Sequence, residues 1–255
     1  MNKYSYTFIL IFMLSINIIS AQTEVIAHRG FWKSEGSAQN SITALDKAFD
    51  SGVYGSEFDV LMTKDGVLVV NHDDIFQGFD IQESMYKDIA ELTLSNGETL
   101  PTLQEYLERG KELGELQLIL ELKPLKTKKA EDEAVEKIIA MVNKLEITGF
   151  VDYISFSLNI CKQFKRFDPE AEVSYLNGDL SPKQIADSGL SGIDYHYSVL
   201  LEKHPEWIDE AHELDLSVNV WTVNDPEMMK ILIKKGVDYI TTDEPITLFD
   251  LYEKE

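Results

Sequence analysis

The chain has 255 residues, 44% hydrophobic and 27% charged, enough to bury one large core or two small ones. Its formal charge of −22 excludes the attraction on which non-specific DNA or RNA binding depends. A single cysteine, Cys161, excludes an intramolecular disulfide, so the fold stands on its core alone or with a bound metal. No low-complexity block or Pro/Gly/Ser-rich linker divides the chain, which favours a single domain.

Lys3 opens a weakly positive start, residues 8–19 are almost wholly apolar, and Ser20-Ala21 follow before Gln22. Charge, apolar run and small residues in that order read as a secretory signal peptide over 1–21, leaving a domain at 22–255 that is periplasmic or secreted. The run is short of the roughly 20 residues of a membrane span, so no stable span is expected after cleavage. An uncleaved N-terminal anchor is the alternative. Loss of residues 1–21 takes away only Lys3 among charged groups, so an anionic substrate needs local positive charge from Arg, Lys or a metal.

Beyond residue 21, β-rich apolar runs alternate with helical patterns. Strands are expected at 24–28, 55–62, 117–122, 151–156, 172–176, 192–196, 217–221 and 238–242. Helices are expected between them, among them 41–50, 102–112, 130–145, 181–188, 205–214 and 226–235. Ser181-Pro182 and Asp225-Pro226 combine an N-cap with proline at the first helical position, and Gly236 suits a helix C-terminus. Eight strand–helix units imply a parallel sheet closed into a (β/α)₈ TIM barrel. An open doubly wound sheet is the alternative, but its glycine fingerprint is missing after the first strand. A Lys64-Asp65-Gly66 turn leads to a short extra strand at 68–71, making a hairpin after strand 2. Residues 73–101 read as a lid or rim insertion.

In such a barrel, chemistry gathers at the C-terminal strand ends. Glu57 and Asp59 are two apart and so share one face of their strand. Two interior carboxylates repel each other and are costly to desolvate, which a divalent cation would relieve. With Glu121 they would suit a hard ion, Mg²⁺ or Ca²⁺. A structural ion network with Arg29 and Lys123 is equally open. Lys123 shares the face of Glu121, either toward a substrate phosphate or in a plain salt bridge. His28 and His72 lie near strand ends, and a pair flanking a phosphorus could act as acid and base. Each alone could also be structural. Arg29 offers a fork for a phosphate, and Gly30 lets the backbone approach closely. Trp221 either stacks on a ligand or caps the core. His196 could line the pocket, whereas His204 and His212 read as surface residues.

Together, Ala27-His28-Arg29-Gly30, Glu57-Phe58-Asp59, Asn71-His72-Asp73, Glu121-Leu122-Lys123, the Val220–Asn224 segment Val-Trp-Thr-Val-Asn and Thr241-Thr242-Asp243-Glu244-Pro245 resemble the glycerophosphodiester phosphodiesterase family, in order and over essentially the whole chain after residue 21. The resemblance implies a (β/α)₈ barrel with one divalent ion held by Glu57, Asp59 and Glu121. It implies His28 and His72 as acid and base, and Arg29 and Lys123, with Trp221, around a glycerophosphodiester substrate. The family's mechanism has the glycerol 2-hydroxyl attack phosphorus, giving a cyclic phosphate that water opens. Two departures stand out. The family's Pro-Glu-Asn-Thr reads Ala38-Gln39-Asn40-Ser41 here, and its Arg-Thr-Thr-Gly segment has no counterpart in residues 74–84.

The resemblance sets three functions against one another. The first is hydrolysis of deacylated phospholipid head groups to sn-glycerol 3-phosphate and an alcohol. The second is a lysophospholipase D or cyclising phospholipase, for which Phe76, Phe79, Ile81 and Met85 would supply an apolar rim. The third is a secreted binding protein without turnover.

Overall fold

The computed structural model describes residues 22–252, so the expected signal peptide at 1–21 lies outside the described residues. Chain order opens with β1 (Glu24–Ala27), α1 (Ile42–Asp50), β2 (Gly55–Met62) and a short β3 (Leu68–Val70). The rim excursion then carries β4 (Ile75–Phe76), β5 (Phe79–Asp80) and the single turn α2 (Tyr86–Ile89). After it come α3 (Leu103–Leu113), β6 (Gln117–Leu122), α4 (Lys128–Leu145), β7 (Val151–Ser155), α5 (Leu158–Phe167) and β8 (Val173–Tyr175). The last part is α6 (Pro182–Asp187), β9 (Gly192–His196), α7 (Trp207–His212), β10 (Ser217–Trp221), α8 (Pro226–Lys234), β11 (Tyr239–Thr242) and α9 (Pro245–Tyr252).

The strands β1, β2, β6, β7, β8, β9, β10 and β11 pair in parallel in that order, and β11 returns to β1, closing the expected barrel. Alternation along each strand separates two apolar layers. Val25 and Ala27, like Leu118 and Leu120, face the surrounding helices. Ile26, Ile119, Ile154 and Leu176 form a smaller cluster of their own. Each large aliphatic chain so buried contributes about 1.5–3 kcal/mol. Ser41, Thr102, Thr127, Ser157, Ser181 and Asp225 each accept a first-turn backbone N–H, which starts the helix that follows.

Three local features differ from the sequence reading. β1 ends at Ala27 rather than 28, because Arg29 enters the left-handed region at φ 57° and turns the chain away. The structure adds α5, whose apolar Ile160, Cys161 and Phe164 are buried, and α9. It also adds a π-helical turn at Val199–Lys203.

The hairpin matters most for function. β2 pairs with β1 only at Gly55 and Ser56, so its upper half would present a bare edge. β3 covers that edge antiparallel, Val60 facing Val70 and Met62 facing Leu68. The chain leaves β3 with Asn71 N donating to Asp59 O at 3.0 Å, which delivers His72 to the mouth of the barrel. On the other side, Gly30 has φ 73°, and a Cβ there would meet the Ala44 backbone at 2.7 Å. Only glycine lets the loop after β1 press against α1 at this point.

Candidate active site

The mouth cavity has a volume of about 110 Å³ and is lined by His28, Arg29, Glu57, His72, Glu121, Lys123 and Trp221, with Phe156 and Asp194 among the others. Seven of the eight site residues expected from the sequence thus share one wall system. The eighth, Asp59, is buried among them.

Glu57 and Asp59 point into the barrel from β2, and Glu121 stands opposite Asp59 in register on β6. One carboxylate oxygen from each lies within 4.8 Å of the others. Burial pushes Glu57 well above the usual carboxylate range, and repulsion from Asp59 and Glu121 adds to the shift. Burial, then Asp59, raises Glu121 to about 7. Asp59 is also desolvated, but Lys123, His72, Arg29 and Asn40 outweigh that and hold it low.

The compensating groups are specific. Lys123 Nζ sits 2.9 Å from Glu121 Oε1 and 3.2 Å from Asp59 Oδ1, which is the salt bridge the sequence allowed. Arg29 Nε is 3.6 Å from Asp59 Oδ2, and Arg29 backbone N donates to Glu57 Oε2 at 2.9 Å. Asn40, at φ 62°, donates its amide to Asp59 Oδ2 at 2.9 Å and accepts from Asp59 N at 3.1 Å. Glu57 Oε1 is buried with no hydrogen-bond partner. Three converging carboxylates, two of them raised and one with an orphaned oxygen, fit a hard divalent cation.

The histidines flank this cluster. His28 Nδ1 lies 2.8 Å from Asp243 Oδ1, and its Nε2 is 4.0 Å from Glu57 Oε2. Asp243 also accepts from Trp32 Nε1 at 3.0 Å and from Asn224 Nδ2 at 2.8 Å. Although burial pushes Asp243 up, these hydrogen bonds and His28 hold it well below the usual carboxylate range. His72 Nδ1 lies 2.7 Å from Asp73 Oδ1. Burial pushes His72 below its ordinary value, against the pull of Asp59. Trp221 lines the cavity, donates from Nε1 to Asp194 O at 3.0 Å, and packs edge-on to Phe156 and His196. His196 packs behind Trp221 and is not among the lining residues. His204 stacks on Trp207 and His212 pairs with Asp238 at 3.0 Å, both partly exposed on the outer surface as expected.

Asp243, Asn40, Trp32 and Asp194 carry no role in the sequence reading. Asp243 and Asn40 sit in quoted motifs, where position alone pointed to them. Asp194 gave a weaker signal, an acid two residues from Gly192 on a strand that is buried up to its terminal His196. Its side chain is 1% exposed, Oδ1 has no partner, and burial raises it to about 8.

A closed (β/α)₈ barrel thus carries at one mouth two histidines beside three carboxylates that could hold a metal ion. The sequence model of the glycerophosphoryl diester phosphodiesterase family matches residues 28–247, and the chain belongs to that family of phosphoric diester hydrolases. A glycerophosphodiester phosphodiesterase of Caldanaerobacter subterraneus subsp. tengcongensis is 28% identical over 249 residues, covering 91% of this chain and 99% of its own. The crystal structure of a glycerophosphodiester phosphodiesterase from Parabacteroides distasonis is 48% identical and superposes with a TM-score of 0.90, over 91% of this chain and 98% of its own. A phosphodiesterase of Oleispira antarctica, solved in complex with the product sn-glycerol-3-phosphate, shares the fold at 23% identity and TM-score 0.75, covering 91% and 97% of the two chains.

Two predictions follow from the unassigned carboxylates. Asp243→Asn removes the charge that orients His28 and is expected to lower kcat about 10–100-fold with little change in KM, measured by steady-state hydrolysis. Asp194 is raised from 3.8 to about 8, so the folded state holds a proton between those values that the unfolded state has lost. Its contribution to stability is therefore complete below pH 3.8 and lost as pH rises toward 8. Asp194→Asn should become more stable than wild type with rising pH, by on the order of a few kcal/mol at pH 8 in urea titrations. Parallel stability curves for the two proteins would refute this.

Proposed function

We propose that the protein is a periplasmic or secreted enzyme, with residues 1–21 as its signal peptide, that hydrolyses glycerophosphodiesters to sn-glycerol 3-phosphate and an alcohol with one divalent cation, Mg²⁺ or Ca²⁺. The carrying observation is the convergence of His28 and His72 on one small cavity whose wall is the Glu57–Asp59–Glu121 cluster. Product-bound sn-glycerol-3-phosphate in the Oleispira antarctica barrel supports the substrate class.

The side chains divide the chemistry between them. Asp73 holds Nδ1 of His72, and burial keeps that ring neutral, so its Nε2 takes the proton of the glycerol 2-hydroxyl. The freed oxygen attacks phosphorus and the bond to the leaving alcohol breaks. Asp243 stabilises the protonated ring of His28, whose Nε2 gives its proton to the departing oxygen. Water then opens the cyclic phosphate, with His28 as base and His72 returning the proton to the 2-hydroxyl. Arg29 and Lys123 border the cavity and neutralise non-bridging oxygens, and Trp221 walls the opposite side. A cation held by Glu57, Asp59 and Glu121 would supply Lewis-acid stabilisation of the same oxygens.

The lysophospholipase and cyclising-phospholipase alternatives lose part of their footing. Of the four residues read as an apolar rim, Ile81 is fully buried under the insertion and Phe76 packs against the core, leaving Phe79 and Met85 exposed.

His28→Ala and His72→Ala are each expected to lower turnover of a glycerophosphodiester by about 10²–10⁴ with the fold intact by circular dichroism. Wild-type rates in either variant would remove the acid–base assignment. Thorough chelation should abolish activity, and Mg²⁺ or Ca²⁺ should restore it. Full activity in the chelated protein would reject the carboxylate site.

A further inference from the structure

The mouth cavity, about 110 Å³, is smaller than the roughly 300–1,000 Å³ of ordinary ligand pockets, so a whole diester extends beyond it. Beside it on the rim lies a groove of about 1030 Å³. Gln39, Asn71 and Asp73 line that groove; Gln39 Oε1 accepts from cavity-lining Arg29 Nη1 at 2.7 Å and Asp73 pairs with cavity-lining His72, so the groove adjoins the cavity. Part of the groove comes from the two segments where this chain departs from its family pattern. Ala38 and Gln39 come from the first, Phe76 and Gln77 from the second.

The chemistry of its walls is selective. Phe76 and Leu94 offer apolar surface, and Ser95, the Gln39 Nε2 amide and the Gln77 Oε1 carbonyl offer neutral donors and acceptors, the other ends of the two amides being bonded to Arg29 and Thr93. Its two charged groups are already engaged. Asp73 binds His72, and Lys33 binds Glu244 while lying 5.5 Å from the centre of the Trp32 ring. A quaternary ammonium needs an open aromatic face and an available carboxylate, and here the tryptophan face already has a cation beside it. An anionic alcohol meets a chain of charge −22. Apolar surface ringed by amides and hydroxyls suits an uncharged polyol, whose C–H face packs while its hydroxyls pair.

We propose that this groove is the subsite for the leaving alcohol and that it selects a neutral polyol, of the inositol type, over choline; the inference rests on the phosphodiesterase reading above. The test compares the full chain on glycerophosphoinositol, glycerophosphocholine and sn-glycero-3-phosphomethanol, whose leaving group is too small to reach the groove. The inositol diester should have a kcat/KM about 10-fold or more above the choline diester. Ser95→Trp, an exposed position where folding is safe, should fill the groove and raise KM for the inositol diester about 10-fold while sparing the methanol diester. Phe76→Ala should likewise erase the preference. Equal or faster hydrolysis of the choline diester, or an unchanged preference in Ser95→Trp, overturns the inference and leaves the phosphodiesterase reading standing. Failure to hydrolyse any of the three, the methanol diester included, overturns both.

Discussion

Mutual repulsion among Glu57, Asp59 and Glu121 is the constraint around which the upper half of the barrel is arranged. Three carboxylates on adjacent strands, facing inward and almost wholly buried, oppose folding unless something answers their charge. The answers come from separate parts of the chain: Arg29 after β1, Asn40 before α1, and Lys123 after β6. They satisfy Asp59 best. Glu57 and Glu121 keep raised affinities for protons, which is the same unanswered charge that a cation would meet. An ion network with Arg29 and Lys123 is therefore compatible with the same cluster holding a cation.

The same cluster places the histidines. Arg29 and Gly30 both adopt positive φ, and the turn they make brings two backbone N–H groups onto Glu57. That turn fixes where His28 stands. The β3 edge does the same for His72 through the Asn71–Asp59 hydrogen bond. A strongly acidic protein thus confines its positive charge at this mouth to a few side chains lodged against acids.

Strand periodicity made the barrel legible, because inward and outward layers alternate wherever a strand is buried on both sides. Glu57, Asp59 and Glu121 were legible for the same reason: a carboxylate in a buried strand is expensive enough to demand a purpose. Asp243 and Trp32 were harder to read. Their importance lies in contacts made across more than 200 residues of chain, Asp243 with His28 and Trp32 with Asp243, and no local pattern encodes a contact of that range. Asp194 shows the limit most clearly, since its meaning depends on one buried oxygen left without a partner, which only packing reveals. The helix α5 belongs to the same strand–helix alternation, and its buried Ile160, Cys161 and Phe164 mark its inner face.

The pairing of His28 with Asp243 joins the first strand of the barrel to the residue just after the last. During synthesis, residue 28 emerges more than 200 residues before its partner, and until the final strand docks beside the first the imidazole has nothing to align it. A nascent or C-terminally clipped chain that lacks Asp243 leaves Nδ1 of that imidazole without its carboxylate. The alignment of His28 is thus a report on ring closure, complete only when the first and last strands of the barrel lie side by side.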